Sequence, residues 1–104
     1  MLLTNTLPAL AFELQNLLTK KGRLELAAQV RSLQIVDRCR CGDDFCASFY
    51  TQPKPSGSYG PRLECLELEP AEGMLILDIV EGVITHVEAL YRESDRKTLL
   101  SLLP

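Results

Sequence analysis

The segment from Gly73 to Tyr91 restricts the fold of this chain most. Met74 to Val80 and Val83 to Tyr91 are two runs rich in apolar and β-branched residues, and only Glu81-Gly82 separates them. A two-residue break ending in glycine between such runs predicts a tight antiparallel hairpin. An unbroken ladder from that loop sets Val80 against Val83, Asp78 against Thr85, Ile76 against Val87 and Met74 against Ala89. One face is then almost wholly apolar. The other carries Leu75, Leu77, Ile79, Ile84 and Leu90, with His86 and Glu88 at its border and His86 opposite Leu77. A sheet apolar on both faces has to be covered twice. N-terminal helices are expected on one side and the segment Ser94 to Leu103 over part of the other. Any remainder is an exposed apolar patch, which predicts self-association through the sheet face.

The N-terminal third supplies the helices. Thr6 before Leu7-Pro8 reads as a helix cap with proline in the first turn. Leu7, Leu10, Leu14, Leu17 and Leu18 follow at helical spacing, and Lys20-Lys21-Gly22 is a stop signal. From Arg23 a second stripe of Leu26, Ala27, Val30 and Leu33 predicts a helical hairpin hinged at Gly22. Ile35 and Val36 bring in strand character. Gln52 to Pro61, with three prolines and two glycines, is a loop in which Tyr59 is the side chain suited to anchoring a partner or ligand. Arg62 to Glu69 alternates as a strand, with Leu66 and Leu68 on one side and Cys65 sharing the parity of the glutamates.

Three of the four cysteines lie within Cys39-Arg40-Cys41-Gly42-Asp43-Asp44-Phe45-Cys46. A hairpin about Asp43-Asp44 sets Cys41 opposite Cys46 and Cys39 opposite Ser48, so the three thiols project to one side. With Cys65 on a neighbouring strand, Cys39, Cys41, Cys46 and Cys65 would form a tetrahedral zinc site. The spacing departs from the repeated Cys-x-x-Cys of zinc ribbons. Buried idle thiols, a disulfide or a redox pair therefore remain open beside metal.

Little else carries chemistry. His86 is the single histidine and reads as a border or partner-binding residue. It would serve a cysteine-dependent enzyme only with a thiol in hydrogen-bond reach. Asp43 and Asp44 fit a turn, and Asp78 is the mid-strand carboxylate whose burial matters. There is no phosphate-binding glycine loop, nucleophile elbow or metalloprotease helix. A net charge of −3, from 11 basic and 14 acidic residues without a basic run, argues against a nucleic-acid partner. The start, Met1 to Asn5, lacks a basic region before an apolar core, and no apolar run approaches a membrane span, which predicts a cytoplasmic protein.

The Cys-x-Cys-Gly hairpin running into Cys46-Ala47-Ser48-Phe49-Tyr50-Thr51, followed by the Gly73 to Tyr91 hairpin, resembles a pattern in short uncharacterised bacterial proteins. The resemblance spans roughly residues 22 to 93. It implies a bacterial origin and an α+β fold and transfers no functional residue. The expectation is thus a single α+β domain over residues 1–104. An N-terminal helical hairpin packs on an antiparallel sheet of about five strands, with a short C-terminal helix. The leading functional reading is a non-enzymatic protein-interaction module, with a protein partner or homo-oligomer and no cofactor. A zinc-binding or thiol-redox domain is the alternative, and a small cysteine-dependent enzyme a third.

Overall fold

A computed structural model describes residues 1–104. The central hairpin is β4 (Met74–Val80) and β5 (Val83–Leu90). Glu81 (φ 51°) and Gly82 (φ 80°) both sit at positive φ, as a two-residue turn matched to strand twist requires. Around it the order is β1-β2-β5-β4-β3, antiparallel throughout, with β1 Asp37–Arg38, β2 Phe49–Tyr50 and β3 Leu63–Leu68. The helices are α1 (Leu3–Thr6), α2 (Pro8–Lys20), α3 (Leu24–Gln29), continued by a 3-10 turn at Val30–Ser32, and α4 (Glu93–Leu102). The α+β architecture with five antiparallel strands and a short C-terminal helix is the expected one.

The ladder differs from the simple register. Val80 faces Val83 and Ile79 faces Ile84, but beyond a bulge at Asp78/Ile79 the pairs become Asp78–His86, Leu77–Val87, Ile76–Glu88, Leu75–Ala89 and Met74–Leu90. Thr85 is the extra residue, and its hydroxyl donates to the Asp78 carbonyl at 3.0 Å. A one-residue slip exchanges the faces of everything beyond it. Unbulged, β5 would place His86 and Glu88 beside Leu77 and Leu75 in the core, where an unpaired charge costs several kcal/mol. The bulge instead sends Val87 and Ala89 inward to join Leu75, Leu77, Ile79 and Ile84. His86 therefore opposes Asp78 and Tyr50, not Leu77.

All helices serve one core. Leu10, Ala11, Leu14 and Leu18 of α2, Leu26 and Ala27 of α3, and Leu99 of α4 join the inward sheet residues in one buried cluster with Phe49. The C-terminal segment thus reinforces the helical layer rather than covering the second sheet face. Arg92 ties this layer together, reaching Glu13 of α2 at 2.5 Å, Asp95 at 2.8 Å and the Glu72 carbonyl at 2.8 Å. Gln29 grips the hairpin turn, donating to the Gly82 carbonyl and accepting from the Ile84 N–H. Thr6 does not cap α2. It ends α1, and Leu7 occupies the cap position without a side-chain bond. The cause is a tether at the N-terminus: the Leu3 N–H bonds the Leu33 carbonyl and the Ile35 N–H bonds the Met1 carbonyl. No helix is long and apolar enough to cross a membrane.

Candidate metal centre

The cysteine segment forms where β1 and β2 leave the sheet. Asp37 pairs with Tyr50 and Arg38 with Phe49, and the Cys39 N–H continues the register to the Ser48 carbonyl at 2.8 Å. The chain turns at Gly42 (φ 82°), a conformation glycine adopts without Cβ conflict. It then returns through Cys46, which bridges to Leu90. The Tyr91 N–H to Phe45 carbonyl bond, 2.9 Å, and the stacked Phe45 and Tyr91 rings, 5.1 Å between centroids, fasten the turn to the end of β5.

This register gathers the sulfurs of Cys39, Cys41 and Cys46 within 4.8 Å of one another. Sulfurs sharing one tetrahedral zinc at ~2.3 Å would be about 3.8 Å apart, so small side-chain rotations close the group on an ion. Cys39 and Cys46 are half-buried and Cys41 is exposed, which leaves the cluster open at its Cys41 rim. Cys39 and Cys46 differ in acidity. Burial, with the Cys41 N–H opposing and the Cys41 and Cys46 sulfurs adding, pushes the Cys39 thiol up to about 11. Burial also acts to raise Cys46, but the Ser48 hydroxyl and N–H together with Cys41 and Cys39 outweigh it, so its pKa falls below the ordinary thiol value. Cys46 thus becomes a thiolate, the form that binds metal, more readily than Cys39.

The fourth cysteine is elsewhere. Cys65 sits on β3 at the far edge, four strand spacings or roughly 19 Å from β1. Its thiol donates to Asp78 Oδ1 at 3.3 Å, and that bond raises its pKa. Sequence reasoning recovered the three-thiol hairpin because register follows from a local turn. It could not place β3, because strand order depends on long-range pairing.

Cys65 instead ends a row across the sheet face away from the helices: Cys65, Asp78, His86 and Tyr50 stand on successive strands β3, β4, β5 and β2. His86 Nδ1 lies 3.5 Å from Asp78 Oδ2 without hydrogen-bond alignment, and the ring packs on Tyr50 at 4.5 Å between centroids. Burial lowers the His86 pKa, with the Asp78 charge opposing. Lys54 sits 5.8 Å above the Tyr50 ring, and Tyr59 buries a phenolic oxygen that has no hydrogen-bond partner. Cys65 bonds Asp78 and not His86, so the row is not a cysteine–histidine nucleophilic pair. Ser48 and Tyr50 are neighbours of these groups that sequence reasoning did not single out. Ser48 was findable as the residue opposite Cys39. The largest concavity, about 460 Å³, lies between α2 and Glu69–Ala71 and includes none of these residues.

No family model, curated protein or solved structure matches this chain.

Proposed function

We propose that the chain is a small thiolate module that binds a soft metal ion through Cys39, Cys41 and Cys46. The convergence of three sulfurs within 4.8 Å supports it, since thiolates select ions such as zinc or Cu(I) over hard oxygen-loving cations. Ser48, whose hydroxyl is held by the Ala89 N–H at 2.9 Å and whose backbone anchors Cys39, would help fix the segment that carries the ligands. The test is a zinc titration of the reduced full chain by calorimetry with a thiol count. One ion per chain is expected, with binding lost in Cys41→Ser and unchanged in Cys65→Ser. Equal affinity in both variants would refute it.

A second reading, a protein-interaction module that associates with itself, is supported by the sheet face away from the helices. Leu63, Met74 and Val83 stay exposed there and at the hairpin end, at 36%, 41% and 44%. Light scattering across a wide concentration range is expected to show dimers that Met74→Lys disperses. A monomer throughout would remove this reading.

A further inference from the structure

We propose that Cys39, Cys41 and Cys46 are a receptor for a trivalent, thiophilic metalloid, with arsenic(III) as the model ion, held by three sulfur bonds. The inference rests on the soft-ion reading above and narrows it to one chemical class.

Donor number is the first ground. The cluster holds three cysteines and no further His, Asp or Glu, and the one remaining cysteine lies across the sheet on β3. Structural zinc closes a tetrahedron with four protein donors, so three sulfurs leave it incomplete. A trivalent metalloid directs three bonds to one side and keeps a lone pair in the fourth direction. Three sulfurs on one face are its complete set.

Placement is the second. Cys39 and Cys41 lie just beyond β1 and Cys46 bridges to Leu90 after the turn, so the three sulfurs, within 4.8 Å of one another, form a triangle held by the Cys39–Ser48 and Tyr91–Phe45 backbone bonds. An ion seated on that triangle enters at the exposed Cys41.

Charge is the third. Arsenous acid carries three hydroxyls. Each thiol forms one As–S bond as one As–O bond breaks, and its proton leaves with the departing hydroxyl as water. Three waters are released, arsenic stays trivalent, no electron moves and the product is neutral. Zinc on three thiolates would leave one net negative charge in a half-buried site. Of the two arginines in this segment, Arg40 is paired with the Asp37 carboxylate, while Arg38 bonds only the Leu103 and Cys39 carbonyls and is the one cation beside the site without an acidic partner. A neutral product carries no such desolvation cost and needs no counter-charge in the half-buried site.

The test is native mass spectrometry of the reduced full chain with arsenous acid, in parallel with zinc and with thiol alkylation. One adduct is expected, with a mass gain of one arsenic less three hydrogens, and three thiols become protected while Cys65 still alkylates. Cys65→Ser is expected to give the same adduct. Cys41→Ser, an exposed position whose folding circular dichroism checks, is expected to retain one As–OH and to bind about tenfold or more weakly, because one tethered donor is lost. An adduct of equal strength in Cys41→Ser overturns the proposal. Zinc binding without an arsenic adduct overturns the metalloid assignment and leaves the soft-ion reading standing. Failure of both ions removes both.

Discussion

His86 shows how one side chain records its surroundings. It stands between Tyr50 and Asp78 on the sheet face away from the helices, largely buried, and burial holds its pKa below the ordinary 6.5. Folding therefore disfavours its proton. A group whose folded pKa is depressed contributes stability that is present above the unfolded pKa and lost as pH falls through the folded one. Urea unfolding followed from pH 7 to pH 5 is expected to show declining stability, and His86→Gln to flatten the decline. An unchanged slope in the variant would show that other groups govern this range. The Cys46 thiol responds to different neighbours, since Ser48, Cys41 and Cys39 together outweigh its burial. The sequence made His86 conspicuous as the single histidine, but its neighbours could not be read. They depend on a bulge one residue away.

At the scale of elements, the β4–β5 hairpin is the clearest case of partial legibility. Its turn at Glu81-Gly82 and its apolar strands were readable, because both are local. The bulge was not, although it leaves a trace: inward residues Ile84 and Val87 are three apart, whereas Val87 and Ala89 are two apart. That phase slip is what a period of two cannot accommodate. The cap at Thr6 failed for a similar reason, because contacts from Leu33 and Ile35 recruit the preceding residues into α1. Gly73 marks where the hairpin meets the chain leaving it. At φ 69°, a Cβ there would lie 2.3 Å from the Leu90 carbonyl oxygen and 2.9 Å from that of Tyr91. Backbone cannot give way as a flexible side chain can, so Gly73→Ala is expected to cost about 3 kcal/mol in denaturant unfolding. Gly57→Ala, where nothing lies within 4 Å and φ is ordinary, should change stability by less than about 1 kcal/mol. Similar losses at the two sites would contradict the placement of Gly73.

The whole molecule is a sheet with one face under helices and the other free of them. The helical layer was legible from leucine spacing, and its side of the sheet follows from which hairpin face is apolar once the bulge is included. The destination of α4 was not legible, since Leu99 has no sequence signal that distinguishes the two faces. The same scale decides the candidate site. Local register brings Cys39, Cys41 and Cys46 together, while strand order carries Cys65 to the opposite edge. A four-sulfur centre and a three-sulfur centre are thus alternatives set by topology. X-ray absorption at the metal edge of the zinc-loaded full chain separates them most directly, because it counts the sulfurs around the ion. Three sulfur neighbours at ~2.3 Å are predicted, the count unaltered in Cys65→Ser. Four sulfurs in the native chain, falling to three in that variant, would contradict the account.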